Sequence, residues 1–292
     1  MNSCLIMRQI SITVRPENGF EVPHNDGYQV YSSILSCIQN TDENTSRHIH
    51  ETPLHSISVS GLLGHFSGGR RPGHKYLSPN VSYEIRIGIS DPQEEEIYES
   101  LILSLFLPDT KVSLDQGSLL VEKVKKRSLT YPDMIAEVTK YKRPVMAFKF
   151  LTPTCIQFRN SKVTEMFPHR VAVFHSLLSK WNQVCPEEMR MGIDLDDFGR
   201  YLIEKPEPES YQTYSVLVNT VHDAKRDHPR PIFKQGFVCE CNYLVTPNAP
   251  ITFKNAVTLL SLFAPFSGVG SSVARGCGQV STMIQEGNNG RR

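Results

Sequence analysis

The order of hydrophobic periods, which occurs twice, limits the fold more than any single motif. Residues 4–14 (CLIMRQISITV) are β-rich and partly alternating. Residues 26–40 (DGYQVYSSILSCIQN) set Tyr28, Tyr31, Ile34, Leu35 and Ile38 at helical spacing behind Asp26, a suitable cap. Residues 55–63 and 81–89 alternate again. Residues 91–107 start a helix, with Asp91 as cap, Pro92 in the first turn and acidic residues beside the positive end of the helix dipole. Residues 118–127 (SLLVEKVKKR) read as a basic strand. The second half runs through the same order: strand 141–153, helix 165–183, strands 211–221 and 233–245, helix 252–264 and strand 278–284. Only the order recurs, not the residues. Each strand–helix–strand–strand–helix–strand unit predicts an antiparallel sheet backed by two helices. The expected class is therefore α+β, with two tandem ferredoxin-like (RRM-like, βαββαβ) domains. They span residues 1–130 and 131–292, with the join near residues 127–133 and a frayed tail over 285–292.

Apolar content of 39% supports a packed core and excludes a disordered chain. A net charge of +1 gives no global field, so any polyanion must be met by cations gathered locally. The seven cysteines are scattered, without a C-x-x-C, which predicts reduced thiols rather than a disulfide framework or zinc finger. Cys239 and Cys241 share a strand face, and core packing is the simpler reading of that pair. The N-terminus lacks a signal-peptide layout, and the longest apolar run, 101–107, is too short to span a bilayer. A soluble, cytoplasmic protein is expected, with no membrane contact.

Near the C-terminus, FAPFSGVGSSVARGCGQV (263–280) holds Gly268, Gly270, Gly276 and Gly278 around Ser271, Ser272 and Arg275. A phosphate loop or dinucleotide fingerprint needs a strand before the glycines and a helix after them. Here the order is reversed and no lysine follows. What remains is a flexible linker, or a loop whose backbone N–H groups and arginine meet an anion.

With the doubled unit, this loop resembles the RAMP proteins of CRISPR systems. Residues 20–39, 47–64 and 150–158 resemble segments of the branch that cuts precursor crRNA within each repeat. The resemblance implies a repeat-specific endoribonuclease needing neither metal nor cofactor. A ribose 2′-OH attacks the adjacent phosphate, leaving a 2′,3′-cyclic phosphate and a 5′-OH. It places the catalytic histidine at His50. Leu35 stands where some members carry a tyrosine. Tyr31, one turn earlier on the same face, can replace it or be a core residue. The lysine that some members carry after the histidine is missing, leaving Arg47 and His48 as nearby cations. His48, His50, His55, His65 and His74 crowd one window. Surface placement explains most of them, and a metal site is the weaker alternative.

Candidate phosphate contacts are Arg70, Arg71 and Lys75 on a loop expected to be flexible, Lys125 and Lys126 near the join, Arg275, and the glycine-loop residues Gly268, Gly270, Ser271, Ser272, Gly276 and Gly278. The implied partners are a precursor crRNA repeat, the mature crRNA product, a CRISPR effector complex and a second copy of the chain. The alternative is a non-catalytic RAMP subunit that binds crRNA.

Overall fold

The computed structural model describes residues 6–41, 57–91, 94–105, 107, 110–157, 163–221 and 230–287. The first half contains β1 (Ile6–Pro16), β2 (Phe20–Pro23), α1 (Gly27–Thr41), β3 (Ile57–Val59), β4 (Ser67–Gly68), β5 (His74–Leu77), β6 (Tyr83–Ile89), α2 (Glu95–Leu105), β7 (Lys111–Leu114), β8 (Gly117–Thr130) and α3 (Tyr131–Val138). The second contains β9 (Pro144–Thr154), β10 (Ile156–Gln157), β11 (Thr164–Glu165), α4 (Arg170–Val184), α5 (Leu195–Tyr201), β12 (Leu202–Pro206), β13 (Gln212–Val221), β14 (Arg230–Val245), α6 (Ile251–Ser267) and β15 (Val280–Glu286).

The first sheet has the order β3-β6-β1-β8-β7 and is antiparallel throughout. The second has the order β12-β14-β9-β15, with β13 also on β14. β12 pairs with Cys241–Val245 and β13 with Arg230–Val238, so one long strand serves both. The result is a mixed α+β chain with two large antiparallel sheets among the described residues.

Alternation along β1 explains how the halves meet. Ile10, Ile12 and Val14 face the first core with Val30, Ile34 and Leu101. Met7, of opposite parity, is buried in the second core beside Phe263 and Phe266. Helix α6 thus lies against the back of the first sheet. Gln9 Nε2 donates to the Pro265 carbonyl at 3.0 Å, and Ser58 Oγ donates to the Phe266 carbonyl at 2.9 Å. A Cβ on Gly88 would stand 2.1 Å from that Phe266 oxygen, so the helix contact requires glycine there. Pro265 has no N–H to give Ser261, four residues back, and Thr282 Oγ1 donates to that carbonyl at 2.8 Å instead.

Several sequence expectations change. The loop at 68–76 belongs to a small antiparallel sheet, β2-β5-β4. The join carries a helix, because Thr130 and Asp133 form a capping box and α3 starts without a linker. Gln285 and Glu286 belong to β15 rather than a frayed tail, and Glu286 accepts from the Lys142 and Arg143 N–H groups. Among the described residues, no helix is long and apolar enough to cross a membrane.

Candidate nucleic-acid interface

A cleft of about 210 Å³ separates the halves. One wall carries Asn25, Asp26, Phe66 and Lys75, and the other carries Thr152, Tyr214 and Arg275. Its floor is a joint between α1 and the glycine loop. Gly276 N–H donates to the Val59 carbonyl at 3.0 Å. At φ +87°, a Cβ on Gly276 would lie 2.4 Å from the Gly27 Cα, and only glycine suits both constraints.

The loop is mostly an internal fixture. Gly268, Gly276 and Gly278 are buried, while Gly270, Ser271, Ser272 and Arg275 are half-buried. Its N–H groups are largely engaged within the protein. Val269 donates to the Gly278 carbonyl, Gly270 to Ser176 Oγ, Ser271 to the Cys155 carbonyl and Gly278 to the Pro153 carbonyl. The Ser271 hydroxyl donates to that same Cys155 carbonyl and accepts from Lys234 Nζ at 2.9 Å. The expectation of a row of N–H groups presented to phosphate is therefore corrected. Protein acceptors already occupy these donors.

Arg275 is what the loop brings to the cleft. Its Nη1 donates to the Val218 carbonyl at 2.9 Å, and its guanidinium lies 6.0 Å from the Tyr28 ring centre. Tyr28 is 37% exposed, whereas Tyr31 is 7% exposed and belongs to the first core. Burial raises the Tyr31 phenol above its usual range, and the Arg275 charge pulls the other way. Arg275 therefore gathers both α1 tyrosines, with Tyr28 the one that faces solvent. The tyrosine pair at i and i+3 was legible in the sequence. The choice between its members depended on burial.

Lys75 is also corrected. It is buried rather than free on a flexible loop. Its ammonium lies 3.0 Å from Asp26 Oδ2 and 4.0 Å from the centre of the Phe66 ring. Asp26 Oδ1 accepts from Leu62 N–H at 3.1 Å, so the residue at the start of α1 also anchors one cleft wall. Burial lifts the Asp26 carboxyl above its usual range, with Lys75 opposing.

Arg70 and Arg71 are exposed, and their backbone N–H groups are held by Glu21. Lys125 and Lys126 are exposed but oppose Ser11 and Ile10 in register, so the strand pleat sends them to opposite faces of the sheet. Arg47, His48 and His50 lie outside the described residues. Among the described residues, no three His, Cys, Asp or Glu side chains gather as a metal-ligand set.

No motif pointed to Lys180 on α4. The residue is half-buried, with its ammonium turned inward. Nζ donates to the Ser267 and Gly268 carbonyls at 3.0 and 2.9 Å. It holds the end of α6 where the glycine loop departs. Burial pulls its ammonium down to about 7.

Residues 148–280 match the family model of the CRISPR-associated endoribonuclease Cas6. A comparison with curated proteins finds no match. Cas6 of Thermus thermophilus superposes with a TM-score of 0.61 at 15% identity, covering 95% of this chain and 98% of that one. The product of a Cas6-related gene from Pyrococcus furiosus gives 0.62 at 15% identity, with the same coverages of 95% and 98%. A RAMP protein described as binding different RNA substrates gives 0.60 at 14%, covering 94% and 99%. The family match over residues 148–280 and the shared fold over nearly the whole length make this chain similar to the Cas6 family of CRISPR-associated endoribonucleases.

Proposed function

We propose that this chain is a repeat-specific endoribonuclease that processes precursor crRNA by attack of a ribose 2′-OH on the neighbouring phosphate, without a metal ion. Cleavage leaves a 2′,3′-cyclic phosphate and a 5′-OH. One observation carries the reading: the C-terminal glycine loop delivers Arg275 to the face of α1 that holds Tyr28 and Tyr31. The histidine-bearing segment follows that helix directly in the chain.

The chemistry needs a base for the 2′-OH, an acid for the leaving 5′-oxygen and a cation at the phosphate. In this reading His50 exchanges the proton and Arg275 holds the phosphate. Tyr28, the exposed α1 tyrosine, can present a hydroxyl to the RNA. Arg70 and Arg71 add salt-dependent phosphate contacts. The two strand orders support reading the halves as tandem ferredoxin-like domains divided at residues 130/131. We further propose that the product crRNA is passed to an effector complex, and that the chain can pair with a second copy.

A second reading draws support from the burial of Tyr31 and from Leu35 at the family's tyrosine position: a non-catalytic RAMP subunit that only binds crRNA. Labelled repeat RNA incubated in EDTA with wild type and His50→Ala separates the two. Cutting by wild type and its loss in the variant supports the enzyme, whereas binding without cutting supports the subunit. A repeat with a 2′-deoxy sugar at the scissile position should resist cleavage, and equal cutting would overturn the 2′-OH mechanism.

A further inference from the structure

Two buried thiols meet beneath the glycine loop. Cys155 follows β9 and Cys277 lies near the loop's end, and both are 0% exposed. With Val216 and Val218 they form a small cluster apart from the two main cores. The thiols are hydrogen-bonded to each other. The backbone around them is tightly pinned: Ser271 N–H donates to the Cys155 carbonyl at 2.8 Å, and Gly278 N–H to the Pro153 carbonyl at 3.0 Å. Gly236 on β14 leaves room for the sulfur, since a Cβ there would stand 2.8 Å from Cys155 Sγ.

The other close pair of thiols supplies the contrast. Cys239 and Cys241 share a face of β14, and burial pushes each up to about 12. They are inert packing groups. Cys155 moves the other way. The hydrogen bond from Cys277 lowers it, and the Lys234 ammonium adds to the effect against the opposing cost of burial. Cys277 is raised by the same hydrogen bond. Cys155 is thus the more readily deprotonated of the two sulfurs, with the Cys277 thiol beside it.

We propose that Cys155 and Cys277 are a reversible oxidation site that closes to a disulfide and fastens the glycine loop to the end of β9. With hydrogen peroxide as oxidant, the Cys155 thiolate attacks one peroxide oxygen and the O–O bond breaks. This gives a sulfenic acid and, after protonation, water. Cys277 sulfur then attacks the Cys155 sulfur. The S–O bond breaks, water leaves, and an S–S bond of about 2.05 Å forms. Overall, two thiols lose two electrons and two protons, and the peroxide becomes two waters. A dithiol reverses the step by exchange. Arg275 lies two residues before Cys277, so the bond would limit the freedom of the cleft's cation.

The test uses the full chain and hydrogen peroxide. After oxidation, remaining thiols are alkylated and the protein is digested with trypsin without reduction. The expected product joins Phe150–Arg159 to Gly276–Arg291, lighter by two hydrogens than the separate peptides and released by dithiothreitol. Met283, 58% exposed and in the second peptide, reports that the reagent acted. Oxidised Met283 with Cys155 and Cys277 both fully alkylated overturns the proposal, as does a crosslink to any other cysteine. In Cys277→Ser, the crosslink should vanish and dimedone should label Cys155. Should that variant fail to fold, the wild-type digest still decides.

Discussion

Two loops rich in glycine and cations read alike in the sequence and behave oppositely in the molecule. Residues 68–76 and 268–278 both pair glycines with basic side chains. Gly73 and Gly278 even share nearly the same backbone, with φ of +72° and +67°. A Cβ on Gly73 would meet nothing within 4 Å, whereas one on Gly278 would lie 1.9 Å from the Val269 carbonyl oxygen. The first loop uses glycine to turn in solvent. The second uses it to let two backbones touch. Cations are sorted differently as well. The outer loop exposes Arg70 and Arg71 but buries Lys75, while the inner loop exposes none of its residues fully and leaves Arg275 half-buried.

Gly278→Ala should have the largest effect. Left-handed strain and the overlap with Val269 should together cost about 4 kcal/mol, read as a fall in urea midpoint at unchanged slope. Lys75→Met comes next. Removing one partner of a buried ion pair should cost about 3 kcal/mol near neutral pH. The sign of its pH dependence follows from Asp26. Burial raises the folded-state carboxyl above its unfolded value, so its ionised form opposes folding. The stability this group contributes is present below its unfolded pKa and is lost as pH rises through the raised folded one. The deficit of Lys75→Met should therefore shrink as pH falls through that window, and a deficit that grows instead would refute the ion-pair account. Gly73→Ala should lose only about 1 kcal/mol, because the same φ is strained without any clash. A loss equal to that at Gly278 would erase the contrast between the loops. Smallest in stability is Arg70→Ala with Arg71→Ala, within about 0.5 kcal/mol. RNA affinity measured against salt is the sharper readout, with the log–log slope falling by about 1 for each phosphate the variant no longer neutralises.

Local pattern made much of the architecture legible. Alternation located β1 and β6, and helical spacing located α1 and α6. Thr130 and Asp133 were a readable capping box, yet the sequence reading placed only the domain join there, and α3 was missed. α5 is only seven residues long and offered no periodic signal. The glycine spacing correctly marked close approach. It did not say whether the approaching surface was RNA or α1, because a missing Cβ records only that something comes near. Lys75 and Lys180 were beyond reach for a related reason. Their partners, Asp26 and the end of α6, are distant in the chain, so the inward turn of each ammonium follows from topology rather than from neighbouring residues.

Ala274 completes the first core although it is made near the end of the chain. At about 5–20 residues per second, roughly 10–50 s separate the emergence of α1 from that of the loop. Throughout that interval the nascent first half displays an unfilled notch at the start of α1. Its last core position is supplied by the same segment that carries Arg275, so a polypeptide truncated before the loop has neither a finished first core nor a floor to its cleft.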